Sequence, residues 1–92
     1  MSIVVRFPTS NVTREQYDSV RAALEGSGAW PPDGCLVHVA FGDAQDVHVS
    51  EIWESPEKLQ AFGEKLQPHL AAAGVQLSGE PEIFETISLE TF

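Results

Sequence analysis

The chain has 92 residues, 42% hydrophobic and 21% charged, which bounds it to one ordinary globular domain spanning residues 1–92. Fourteen acids against five bases leave a net charge of −9, and the bases Arg6, Arg14, Arg21, Lys58 and Lys65 form no run or stripe. Nucleic acid and anionic membrane surfaces, which need clustered positive charge, are therefore not expected partners. The one cysteine, Cys35, allows no intrachain disulfide and suits a reducing compartment. Met1 leads into a strand-like run instead of a signal-peptide pattern, and no apolar stretch approaches the ~18–20 residues that span a bilayer. The expectation is a cytoplasmic protein.

Ile3 to Phe7 is apolar on both sides apart from Arg6 and predicts a strand stopped by Pro8, which lacks a ladder donor. Thr13-Arg14-Glu15-Gln16 is a capping box and opens a helix, with Val12 and Tyr17 placed as a hydrophobic staple. Tyr17, Val20 and Leu24 form its apolar stripe, while Arg14, Asp18, Arg21 and Glu25 pair along a charged face. Gly26 and Gly28 end it. The loop from Ala29 to Gly34 carries Pro-Asp-Gly, a turn signal, and places Trp30 as a lid on the core edge.

Cys35 to Phe41 and Asp46 to Trp53 read as a hairpin turning through Gly42-Asp43-Ala44-Gln45. With that four-residue loop, Phe41 faces Asp46, Val39 faces His48 and His38 faces Val49. One side then holds Leu36, His38, Ala40, Val47, Val49, Glu51 and Trp53. Cys35, Val37, Val39, Phe41, His48, Ser50 and Ile52 lie on the other. Ser55 caps a second helix with Pro56 at its first position and Glu57 at the positive end of its dipole. Leu59, Phe62, Leu66, Leu70 and Ala73 share one arc, with His69 at its edge. Pro68 points away from the arc and removes one helix bond, predicting a kink near Gln67. Gly74 ends the helix, 75–79 is a link, and Pro81 to Phe92 predicts the last strand.

The order is βαββαβ, an α+β ferredoxin-like pattern with a four-stranded antiparallel sheet and two helices on one face. Two helices cover one face of a sheet whose strands are apolar on both. The uncovered face predicts a homodimer packed through the sheet.

This order and size, together with Glu51-x-Trp53-x-Ser55-x-Glu57, resemble the dimeric α+β barrel superfamily. Within it the chain is similar to the antibiotic-biosynthesis-monooxygenase-like (ABM) group, with the stress-responsive A/B barrel proteins close behind. The residue-level match is confined to residues 51–62. The resemblance implies a homodimeric barrel that takes a small aromatic or polyketide-like molecule, as a monooxygenase or isomerase without a cofactor or as a non-catalytic ligand-binding or stress-response protein. Phe62 stands where many members carry an inward histidine. The first strand, Ile3-Val4-Val5-Arg6-Phe7, lacks the asparagine of the haem-degrading members. Both departures point away from haem and monooxygenase chemistry and toward the non-catalytic reading.

His38 is the candidate base, being mid-strand, flanked by valines and on the side of Glu51 and Trp53. A histidine hydrogen-bonded for structural reasons is the alternative. Trp53 is either a stacking wall or a core aromatic. Tyr17 either places its hydroxyl in the same predicted space or is only the staple residue, Phe62 lines that space, and His69 closes it or sits half exposed at the helix end. Arg6 either anchors an acidic substrate or pairs with Glu51 or another acid. His48 faces the dimer side or the rim. No His-x-His, His-Glu-x-x-His or Cys-x-x-Cys spacing points to a metal, and no phosphate loop or dinucleotide fingerprint is present.

Overall fold

The computed structural model describes residues 2–92. Its elements are β1 (Ile3–Phe7), α1 (Arg14–Gly26), β2 (Cys35–Asp43), β3 (Asp46–Trp53), α2 (Pro56–Ala72) and β4 (Glu82–Glu85). The strands form one antiparallel sheet in the order β2-β3-β1-β4, the ferredoxin-like arrangement the sequence predicts.

Local chemistry sets both helix starts. Thr13 caps α1 through its hydroxyl, which accepts from Gln16 N at 3.1 Å, while Gln16 Oε1 accepts from Thr13 N at 3.0 Å. Ser55 Oγ accepts from Lys58 N at the start of α2. Both helices end in Schellman turns. Gly28 and Gly74 take φ of 80° and 73°, and the next residues, Ala29 and Val75, donate back to Leu24 O and Leu70 O at 2.9 Å. The α2 helix runs continuously through Pro68, whose ring lies exposed on the solvent side.

The core lies between the sheet and the helices. Ile3, Val5 and Trp53 from the sheet pack with Val20 and Leu24 of α1 and Leu59 and Phe62 of α2. Trp53 and Val5 are completely buried.

Three expectations are corrected. The hairpin turns through Ala44 and Gln45 alone, because Gly42 and Asp43 extend β2. Gly42 takes φ of 110° where a side chain would strike the backbone carbonyl of Asp46, so only glycine continues the strand there. The register accordingly moves by two residues, and His38 pairs with Glu51 instead of Val49. A shift of two preserves the side on which each residue points, so the grouping of His38, Glu51 and Trp53 holds.

An irregularity between Cys35 and Val37 does change sides locally. Cys35 pairs with Trp53 and packs against the core, while Leu36 is 51% exposed. The third correction is the last strand, which covers Glu82–Glu85 and not Pro81 to Phe92. Its partner β1 begins at Ile3 opposite Glu85, and Thr86 N donates to Ser2 O. Beyond that point the ladder has no strand to pair with, and Ile87 and Phe92 are fully exposed. Within the 75–79 link, Leu77 makes a single bridge to Thr9.

The second sheet face is open. Val37, Val39 and Phe41 of β2 and Phe84 of β4 are 37–50% exposed on it, beside Val4 and Ile52. Among the described residues, no helix is long and apolar enough to cross a membrane.

Candidate small-molecule site

A continuous hydrogen-bonded chain crosses the helix face of the sheet. His38 and Glu51 are direct cross-strand partners on β2 and β3, so their side chains leave the sheet together. His38 Nδ1 lies 2.6 Å from Glu51 Oε2. The other carboxylate oxygen, Oε1, accepts from Trp53 Nε1 at 2.9 Å. Tyr17, from the first turns of α1, brings its hydroxyl within 2.7 Å of His38 Nε2.

The donor roles follow from chemistry. The indole N–H can only donate, and an ionised carboxylate only accepts. With Glu51 ionised, His38 Nδ1 carries the proton and Nε2 presents a lone pair, to which Tyr17 O–H donates. Glu51 is only 3% exposed, and both its oxygens are satisfied. A carboxylate buried without such partners would be costly.

The chain borders a cavity of about 90 Å³ between the sheet and the helices. Tyr17, His38 and Glu51 are on its polar side, and Val20, Leu24, Phe62, Leu66 and Leu70 are part of the apolar wall that the helices supply. Trp30, in the loop after α1, meets the His38 ring edge-on at 5.0 Å between centroids. The Arg21 guanidinium lies 4.0 Å above the Trp30 ring, also on the cavity wall. Asp33 and Lys58 join this loop to α2 through a 2.7 Å ion pair. The bond holds the Asp33 carboxyl below its ordinary range and the Lys58 amine above its own.

Four of the residues singled out in the sequence, Tyr17, His38, Glu51 and Phe62, thus share one cavity. Trp53 is not on its wall. It lies behind Glu51, fully buried, with Phe62 at 5.4 Å between ring centroids. His69 sits half-buried in the last turn of α2, outside the cavity lining.

Arg6 does not meet Glu51. It pairs with Ser50 and Glu82 across the open sheet face, whereas Glu51 points toward the helices. His48 also belongs to the open side, with Asp46 Oδ2 at 3.1 Å and Thr9 Oγ1 at 3.3 Å. Arg21 pairs with Glu25 as expected of its charged face but also lines the cavity, which sequence reasoning missed. Its spacing of four from Tyr17 was the available signal, because such residues share a helix face. Among the described residues, no three His, Cys, Asp or Glu side chains converge as a metal site.

Cys35 lies on the same side, near Glu51. Burial, and then the Glu51 charge, push its thiol up to about 11. The thiolate is the reactive form, so alkylation of Cys35 at pH 8 is expected to run roughly a hundredfold slower than that of an ordinary cysteine. A timed iodoacetamide reaction followed by mass spectrometry checks this; an ordinary rate would contradict the buried placement.

This βαββαβ fold recurs in solved structures. A candidate antibiotic biosynthesis monooxygenase from Chloroflexus aurantiacus superposes with TM-score 0.59 at 20% identity, over 98% of this chain and 95% of its own. SnoaB, a cofactor-independent oxygenase from Streptomyces nogalater, gives 0.59 at 17% identity over 96% and 93%. The fold is that of the ABM-like proteins. The Nitrosomonas europaea protein NE2512, of unknown function, shares this ABM-like fold with TM-score 0.58 at 18% identity, covering 98% and 91%. No family model matches the chain, and no curated protein matches it.

Proposed function

We propose that the chain is a cytoplasmic ABM-like barrel domain, homodimeric through its open sheet face, whose cavity binds a small hydroxylated aromatic molecule and deprotonates it through His38. The observation that carries this reading is the Tyr17–His38–Glu51 chain on the wall of a largely apolar cavity. A carboxylate fixes the imidazole tautomer and stabilises its protonated form, leaving Nε2 as the base. Because Tyr17 occupies Nε2, the proton moves in relay. Tyr17 Oη takes the substrate proton as its own passes to His38, which gives a substrate anion, a neutral tyrosine and an imidazolium against Glu51.

In cofactor-independent monooxygenation such an anion itself delivers electrons to O₂. One oxygen atom enters the substrate as a carbonyl in place of two hydrogens, and the other leaves as water. The ABM-like fold, shared with a cofactor-independent oxygenase, supports this class of reaction. The cavity volume limits the substrate. At about 90 Å³ it is smaller than the ~150 Å³ engineered cavity that accepts benzene. A single ring enters with small side-chain movements, and a fused polyketide does not.

The same small volume favours a second reading, a non-catalytic ligand-binding or stress-response barrel. Oxygen uptake and binding, measured together on a panel of dihydroxybenzenes, separate the two. The first reading expects uptake that falls about 10²–10⁴-fold in His38→Ala, the usual range for loss of a general base. Tyr17→Phe is expected to shift the pH profile by breaking the relay. Binding without uptake leaves the second reading, and uptake unchanged in His38→Ala removes His38 from the chemistry.

A further inference from the structure

The deprotonation scheme uses Tyr17, His38 and Glu51 and gives Arg21 no task. Yet Arg21 is the only lysine or arginine on the cavity wall, in a chain with nine more negative than positive charges. Its guanidinium is laid flat over Trp30 at 4.0 Å, and Trp30 in turn packs edge-on against His38. The stack holds a fixed cation beside the proton-transfer groups.

Among the described residues, Arg21 Nε is shut off from solvent and lacks a hydrogen-bond partner. Glu25 Oε1 is 3.1 Å away but does not lie in line to accept. That is a surface ion pair between side chains 38% and 56% exposed, a type worth little to stability. With Nε enclosed beside Glu25, the outer Nη groups are the donors left for a ligand, and a planar guanidinium grips a carboxylate end-on through two parallel bonds.

Position on the helix supplies the geometry. Tyr17 and Arg21 are four residues apart on α1, so their Cβ atoms stand about 5–6 Å apart on one face. A molecule with a hydroxyl at one end of a six-membered ring and a carboxylate at the other spans such a pair. The apolar wall from Val20, Leu24 and Phe62 would cover the ring.

We infer that the cavity's ligand is a single-ring hydroxylated aromatic monocarboxylate, its acid group held by Arg21 and its hydroxyl directed at Tyr17 and His38. This rests on the cavity being a ligand site and adds the charge of the ligand and the residue that selects it. Arg21 here is a specificity residue and takes no part in proton transfer.

Calorimetric titration of the full chain at pH 7 with 4-hydroxybenzoate and with its neutral isostere, 4-hydroxybenzamide, tests it. The acid is expected to bind about tenfold or more tighter than the amide, as a charge-assisted bidentate contact requires. Arg21→Gln should erase that preference by weakening the acid alone, and Arg21→Lys should keep part of it. Glu25→Gln, which frees the guanidinium from its neighbour, should tighten the acid and leave the amide unchanged. The three variants fall at two partly exposed positions, Arg21 and Glu25, so folding is not at stake. If the amide binds as well as the acid, or the preference survives Arg21→Gln, the inference is overturned while the cavity remains a ligand site. If neither compound binds, both fall.

Discussion

Trp53→Ala is expected to remove about 3–5 kcal/mol of folding stability, the usual cost of emptying a buried aromatic site. A domain of this size holds only about 5–15 kcal/mol in total, so the variant will be barely folded. Two losses combine. Trp53 is completely buried against Phe62, so truncation leaves a cavity in the core. Its indole N–H is also one of the two donors that satisfy Glu51. Urea denaturation should show a much lower midpoint with an unchanged slope. Trp53→Phe separates the two terms. It keeps most of the ring but leaves Glu51 Oε1 without its donor, an orphaned acceptor worth about 1–3 kcal/mol. A Trp53→Phe variant as stable as the parent would mean that the indole bond contributes nothing. A Trp53→Ala variant within ~1 kcal/mol of the parent would place the ring outside the core, against.

This double role explains what the sequence could and could not convey. Alternation along Val47 to Trp53 placed Glu51 and Trp53 on one side, and the alternation of β2 put His38 with them. Side assignment depends only on whether the register shift is odd or even, so it withstood a turn shorter than the Gly-Asp-Ala-Gln run suggested. Cys35 and Leu36 did not withstand the irregularity that follows them, because no residue type announces a bulge there. The helix ends were legible because Thr13, Ser55, Gly28 and Gly74 act through bonds spanning a few residues.

Contacts between distant segments were not legible. The approach of Trp30 to His38, and of Arg21 to Trp30, depends on how the loop after α1 folds back over the sheet. That path is fixed by long-range bonds such as Glu54 N to Gly34 O and Lys58 to Asp33. The length of the last strand was hidden for a related reason. Ile87, Leu89 and Phe92 continue an apolar pattern, but a strand exists only where β1 offers a partner.

Val39→Asp is expected to convert the proposed homodimer into a monomer. Val39 stands midway along the edge strand β2 on the open face, 47% exposed, beside Val37 and Phe41 and opposite Ser50 on β3. An antiparallel sheet can leave one face to water, but that face is then usually polar. Here it carries valines and phenylalanines, which a second copy packed sheet to sheet would bury. In a two-fold dimer every substitution enters twice. Losing two buried side chains at about 1.5–3 kcal/mol each weakens association by roughly 10²–10⁴-fold. The two carboxylates brought toward one another weaken it further. Sedimentation at micromolar concentration should give about twice 10.0 kDa for the parent and 10.0 kDa for the variant. The fold should be retained, because no core contact is touched. A parent that sediments as a monomer removes the homodimer from the proposal. A variant that stays dimeric moves the interface away from this face. In either case the helix-side cavity, on the opposite surface of the sheet, keeps its Tyr17–His38–Glu51 chain intact within each copy.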